Sequence, residues 1–158
     1  MNFTPSFIKT KERAGNPIED VRYGPVSQYM VCDLITFQEE QAIHEVISTL
    51  LKNKISGAPV VNLQDELVGI ISEKDCLRVL IDDAYYNNPL FDRKVKDFMS
   101  PDVFTVTADT DLICVAKAFM ESNFRRYPVV DEAGKLVGQI SRKDVLKASL
   151  QLHSTTWY

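Results

Sequence analysis

The sequence predicts an α/β (α+β) chain made of two β-α-β-β-α repeats packed on each other. Three observations predict this. The chain matches itself without a gap at a displacement of 69 positions, so that Val26 falls on Val95. Short β-branched runs alternate with longer segments whose apolar residues have helical spacing. The composition, 158 residues at 45% hydrophobic and 25% charged, is that of a globular domain with a real core.

The match is specific. Met30 falls on Met99, Asp33 on Asp102, Thr36 on Thr105 and Val46 on Val115. Pro59-Val60-Val61 falls on Pro128-Val129-Val130, and Leu67-Val68-Gly69 on Leu136-Val137-Gly138. Ile71-Ser72 falls on Ile140-Ser141, Lys74-Asp75 on Lys143-Asp144 and Leu77 on Leu146. Other core positions exchange one apolar residue for another: Tyr29/Phe98, Leu34/Val103, Ile43/Leu112, Leu50/Phe119 and Ile55/Phe124. A fixed, ungapped displacement means two copies of one supersecondary unit. Each is about 56 residues, close to the lower limit for an independent core. The division is an N-terminal arm (1–24), repeat 1 (25–82), a linker (83–94), repeat 2 (95–151) and a C-terminal tail (152–158).

In chain order, Leu34-Ile35-Thr36-Phe37 predicts a short strand. A helix is expected over roughly 39–53, burying 43, 46, 47, 50 and 51. Ala58-Pro59-Val60-Val61 is a strand, 62–66 a turn, 67–71 a second strand, and Ser72 opens a second helix to about Ile81. Asp82-Asp83 is expected to mark its stop, because acids are unfavourable at a helix C-terminus. The linker has a turn at Asn88-Pro89. The helix of the second copy, at 109–122, is expected to bury 112, 115, 116, 119 and 120. Its hairpin turn, Asp131-Glu132-Ala133-Gly134, is a better turn sequence than its counterpart. The tail ending in Trp157-Tyr158 reads as loose.

Several function classes are excluded. Eighteen Lys and Arg against 22 Asp and Glu give a net charge of −4, the wrong sign for a nucleic-acid binder. The longest apolar run, Leu112–Ala116, is far short of the ~18–20 residues of a membrane span, so no membrane partner is expected. Cys32, Cys76 and Cys114 are odd in number and widely spaced. They read as reduced thiols of a cytoplasmic protein, with Cys76 and Cys114 on apolar helix faces. His44 and His153 have no third ligand in view, so no metal site is expected. No nucleophile with a partner base and no acid/base pair is present, which reads as no enzyme.

The chemistry concentrates where the last strand of each copy meets its last helix, at Gly69-Ile70-Ile71-Ser72-Glu73-Lys74-Asp75 and Gly138-Gln139-Ile140-Ser141-Arg142-Lys143-Asp144. Ser72 and Ser141 stand at a helix N-terminus, where free N–H groups and the dipole attract an anion. Asp75 and Asp144, one turn on, can accept two hydrogen bonds from a vicinal diol such as ribose. Gly69 and Gly138 are expected to let a flat ring approach the backbone. Pro59 and Pro128 are expected to interrupt strand pairing and free backbone groups for a base edge. Ser-x-x-Asp is equally a capping box. The two roles are compatible, and both stay open here.

These paired motifs, with Val-x-x-Tyr-Met at 26–30, resemble the CBS domain, and two in tandem resemble a CBS pair over about 25–151. The resemblance implies two repeats related by a pseudo-twofold axis, with two clefts between them that take an adenine nucleotide (AMP, ADP or ATP) or a related adenosyl ligand. It implies that Asp75 and Asp144 bind ribose hydroxyls and that Ser72 and Ser141 meet ribose or phosphate. It further implies a base pocket of Thr36, Ser56, Gly57, Ala58 and Pro59 in one copy, and of Thr105, Arg125, Arg126, Tyr127 and Pro128 in the other. No cofactor is required. A homodimer through helical faces is implied, with output to a protein target in trans, since 24 residues before and seven after the repeats leave no room for a catalytic domain in cis. The alternatives are a scaffold of the same fold that binds no nucleotide, and a module for S-adenosylmethionine.

The copies differ in charge. Arg125-Arg126 precedes the second proline and Arg142-Lys143 lies in the second motif, whereas Ser56-Gly57 precedes the first proline. Phosphate needs cations or N–H donors. The phosphate is therefore expected beside Arg125 and Arg126 in the second copy, with Asp144 as its ribose acceptor, while a neutral adenosine moiety can still fit the first copy.

Overall fold

Two β-branched segments form the middle strands of two three-stranded sheets. The computed structural model describes residues 23–86 and 92–154. Residues 1–22 of the arm, the Asn88-Pro89 turn and Trp157-Tyr158 lie outside them. In the first half, β1 (Phe37–Gln38), α1 (Ile43–Asn53), β2 (Gly57–Val61), β3 (Leu67–Ser72) and α2 (Glu73–Tyr86) follow in order. In the second half, β4 (Val106–Thr107), α3 (Leu112–Glu121), β5 (Arg126–Val130), β6 (Leu136–Ser141) and α4 (Arg142–Ser154) repeat the pattern. In each sheet the first strand runs parallel to the middle one and the third antiparallel. The register shifts at Val60/Val61 and at Val129/Val130, so even the bulge is repeated.

The halves exchange their leading segments. A 3-10 turn at Val95–Asp97 places Val95 and Phe98 in the core of the first half, against Phe37, Ile43, Val46, Leu50, Val60 and Ile71. The matching turn at Val26–Gln28 places Val26 in the core of the second half, with Tyr29 and Met30 packed around it. Each segment also covers the open edge of the other half's sheet. Ile70 N–H donates to Ser100 O (3.0 Å) and Ser100 N–H to Ile70 O (2.8 Å). Val31 and Gln139 do the same at 2.9 Å in both directions. An uncovered edge would expose unpaired N–H and C=O groups.

The exchange explains where the first helices begin. Both start three or four residues later than expected, at Ile43 and Leu112. Val95 N–H donates to Gln41 O and Lys96 N–H to Glu39 O, so the incoming turn takes carbonyls that a longer α1 would use. Val26 N–H to Thr110 O and Ser27 N–H to Ala108 O take the same groups before α3. At its other end α1 stops at Lys54, whose φ of 53° is left-handed.

Other expectations change. Asp82-Asp83 does not stop α2, which runs on to Tyr86, so the linker expected over 83–94 begins inside a helix. Asp82 is paired with Arg93 at 3.3 Å, which offsets its unfavourable position on the dipole. Leu51 and Met120, expected to be buried, are 68% and 87% exposed. Cys114 is exposed and only Cys76 is buried. Pro59 and Pro128 do not break their strands, since pairing to β3 and β6 continues through both residues. Only β1 and β4 stop short of them, pairing no further than Val60 and Val129.

Candidate functional site

At the end of β3 the chain turns directly into α2. Asp75 closes the junction as a capping box. Its Oδ2 accepts from Ser72 N–H (2.9 Å) and from Ser72 Oγ–H (2.7 Å), while Asp75 N–H donates to Ser72 Oγ (3.3 Å). The β6–α4 junction repeats this at 2.9, 2.6 and 3.2 Å with Ser141 and Asp144. Capping is therefore built in twice. It occupies one carboxylate oxygen only. Asp75 Oδ1 lies 3.9 Å from the Arg78 guanidinium, and the Asp75 side chain is 16% exposed. That oxygen keeps its capacity to accept from a ligand hydroxyl.

This junction opens onto a cleft of about 360 Å³ between the halves, inside the usual range of about 300–1,000 Å³ for small-molecule sites. On one side it is lined by Ser56, Gly57, Ala58, Pro59, Ser72 and Asp75, with Lys74 at the helix start. Facing them from the other half are Asp102, Phe104, Phe124, Arg125 and Arg126. Arg126 reaches across the axis: its guanidinium donates to Ser56 Oγ (2.9 Å) and Gly57 O (3.1 Å). Gly57 itself tolerates no Cβ, which would lie 2.8 Å from Ile71 O.

The structure thus joins Ser56, Gly57, Ala58, Pro59, Ser72 and Asp75 in one place. It also brings Arg125 and Arg126 there, facing the first motif, in a cleft that Asp144 does not line. Arg142 is turned away, donating to Ser122 O (3.1 Å) with its guanidinium 5.9 Å from the Phe119 ring centroid. Tyr127 lies in the core, stacked on Phe119 with centroids 4.6 Å apart and its hydroxyl bonded to Ser122 Oγ and Ala118 O. Pro128 is buried in β5, and Thr105 is half-buried outside the cleft lining. Thr36 lines a separate depression of about 280 Å³, with Leu34, Asp65, Asp131 and Lys135.

The glycines of the two motifs do not serve a ring. A Cβ on Gly69 would lie 2.8 Å from Met99 Sδ and 3.0 Å from Ser100 O. One on Gly138 would meet Met30 Sδ and Val31 O at the same distances. These glycines admit the exchanged segments. Phe104 and Phe124 were missed as site residues because Phe124 read as a core position. The signal was present in the displacement, which sets both opposite isoleucines, Ile35 and Ile55.

Beneath the cleft, Cys76 is held as a thiol. Burial pushes its pKa up, and the charges of Asp75 and Glu73 push it further, to about 11. Among the described residues there is no cluster of groups arranged to hold a metal ion, and no helix is long and apolar enough to cross a membrane.

The geometry of two exchanged halves with a cleft between them has known counterparts. The CBS domain model matches residues 26–82 and 95–151, and the chain belongs to that family as a tandem CBS pair. Uncharacterised protein MJ1426 of Methanocaldococcus jannaschii is 31% identical over 159 residues, covering 83% of this chain and 89% of its own length. Uncharacterised protein MJ1225 of the same organism is 37% identical over 123 residues, covering 78% of this chain but only 42% of its own length. This chain thus spans less than half of that relative. The crystal structure of CBSX2 from Arabidopsis thaliana in complex with AMP superposes with a TM-score of 0.74 at 29% identity, covering 82% of this chain and 98% of that one. The CBS pair of MJ0100, in complex with 5'-methylthioadenosine and S-adenosyl-L-methionine, superposes at 0.64 with 26% identity, covering 78% and 97%.

Proposed function

We propose that this chain is a regulatory module, not an enzyme, that binds an adenine nucleotide (AMP, ADP or ATP) in the cleft beside Ser72 and Asp75. The observation that carries this reading is the meeting of three groups in one cleft. A half-used carboxylate, Asp75, faces a diol-sized space; a helix N-terminus with Ser72 and Lys74 adjoins it; and Arg125 and Arg126 close the far side. Ribose hydroxyls donate to Asp75 Oδ1, and phosphate takes the cations and the helix N-terminus. The AMP complex of a related CBS-pair protein supports the same ligand class. Three free thiols suit a reducing compartment such as the cytoplasm.

The output is to a partner in trans, through a homodimer formed by the helices. Three positions support a helical interface, because each is apolar and exposed in both halves: Leu51/Met120, Leu77/Leu146 and Ile81/Leu150. Scattered exposed apolar residues mean little, but a repeated set marks a contact surface.

A second reading, S-adenosylmethionine, is favoured by Asp102, which adds a second carboxylate to the cleft and suits a sulfonium cation. Thermal melting against AMP, ADP, ATP, GMP and S-adenosylmethionine separates the cases. A ligand at one hundred times its Kd adds about 2.7 kcal/mol. A shift with the adenine nucleotides is the expected result. A shift with S-adenosylmethionine alone selects the second reading, and no shift with any of them leaves a scaffold.

A further inference from the structure

Asp75 and Asp144 close the same capping box, yet among the described residues only Asp75 also has an ion pair. Arg78, one turn along α2, holds its Nη2 3.9 Å from Asp75 Oδ1. Displacement by 69 positions sets Lys147 there in the second half. The distance is that of an ion pair and is too long for a hydrogen bond. The guanidinium therefore attracts Oδ1 without taking its lone pairs, which stay open to a ligand hydroxyl.

Arg78 is itself held. The same Nη2 donates to the carbonyl of Phe98, and the guanidinium carbon lies 5.9 Å from the Phe98 ring centroid. Phe98 is buried in the first core. Arg93 also lies over that ring, at 4.9 Å, and its ion pair with Asp82 leads back to α2. None of these residues is repeated: Arg78, Asp82, Arg93 and Phe98 fall on Lys147, Gln151, Gly24 and Tyr29. In the first half, contacts thus run from the Asp75 carboxylate to the exchanged segment. That segment continues into Ser100, Asp102 and Phe104, on the far wall of the cleft.

Resting on the nucleotide reading above, we propose that Arg78 is a positioning residue: anchored on Phe98, it holds Asp75 Oδ1 in place to accept from a ligand diol. The capping box pins Oδ2 alone, and Arg78 supplies the second point that fixes the carboxylate plane. A planar, permanently charged guanidinium can serve a carbonyl and a carboxylate at once, which an ammonium in its place does less well. Asp144 has the box without this second point.

Calorimetry of the full chain with AMP, and with dideoxy-AMP, which lacks both ribose hydroxyls, tests this. Arg78→Met keeps the aliphatic stem and removes the guanidinium. It is expected to weaken AMP by about threefold to fivefold, the size of a partly exposed ion pair, and to leave dideoxy-AMP unchanged. In an Asp75→Ala background the same change should cost nothing more, because Arg78 acts through that carboxylate. The Arg78 side chain is 56% exposed, so the variant should melt with the wild type. Wild-type AMP affinity in Arg78→Met would overturn the positioning role while leaving the nucleotide reading intact. An equal loss of both ligands, or a further loss on top of Asp75→Ala, would overturn it as well. Failure of the wild type to bind AMP would overturn the nucleotide reading, and the positioning role with it.

Discussion

The first and second halves have the same backbone plan, the same bulges and the same Ser-Asp junctions, yet they present different faces to solvent. Where they are alike, the shared feature builds the fold: the junction caps, the glycines under Met30 and Met99, and the exchanged 3-10 turns. Among the differences are the walls of the cleft, where Phe104 and Phe124 stand opposite Ile35 and Ile55 in the displacement, and the hairpin turns, where Gly134 stands opposite Asp65. Much of the identity between the repeats therefore marks architecture, while Leu77 and Leu146 are alike and exposed.

The strongest way to break this comparison is to attack the exchange. Phe98 is 2% exposed and lies in the core of the first half although it belongs to the second repeat. Phe98→Ala should cost about 3–5 kcal/mol, read from urea unfolding. Because each core contains a piece of the other repeat, one cooperative transition should move as a whole. Two transitions, with only one displaced, would mean that the halves fold separately.

A smaller test concerns the hairpin turns. Asp65 and Gly134 are equivalent, and both have left-handed φ, 61° and 80°. Glycine adopts this without penalty and aspartate does not. A Cβ at Gly134 meets nothing within 4 Å, so φ alone decides there. Asp65→Gly should stabilise by about 0.5–1 kcal/mol and Gly134→Ala destabilise by about 1 kcal/mol, seen as shifts of the urea midpoint at constant slope. Destabilisation by Asp65→Gly would show that the aspartate side chain holds its turn.

Much of this was legible in the sequence. The ungapped displacement gave the repeat, the strand and helix order, and the Ser-Asp junctions. Periodicity correctly placed Ile43, Val46 and Leu50, and likewise Leu112, Val115 and Phe119, in the cores. A repeat states which residues are alike, however, and not which copy packs on which. The exchange was hidden for that reason, and with it the late helix starts, the true neighbours of Gly69 and Gly138, and the meeting of Arg125 with Asp75. Leu51 and Met120 satisfied a helical apolar spacing while lying on its outer margin, which periodicity alone does not separate from the core.

The central claim is that the first cleft is the nucleotide site. Asp75→Ala and Asp144→Ala test it most directly, because each removes an equivalent capping box and the structural cost cancels in the comparison. Loss of a charged hydrogen bond costs about 1.5–3 kcal/mol, so Asp75→Ala should weaken AMP by about tenfold to a hundredfold in calorimetry. Asp144→Ala should leave AMP binding in the cleft beside Asp75 nearly as it was, with a similar fall in melting temperature. An Asp144→Ala variant that loses AMP as severely as Asp75→Ala, or more so, would contradict the account.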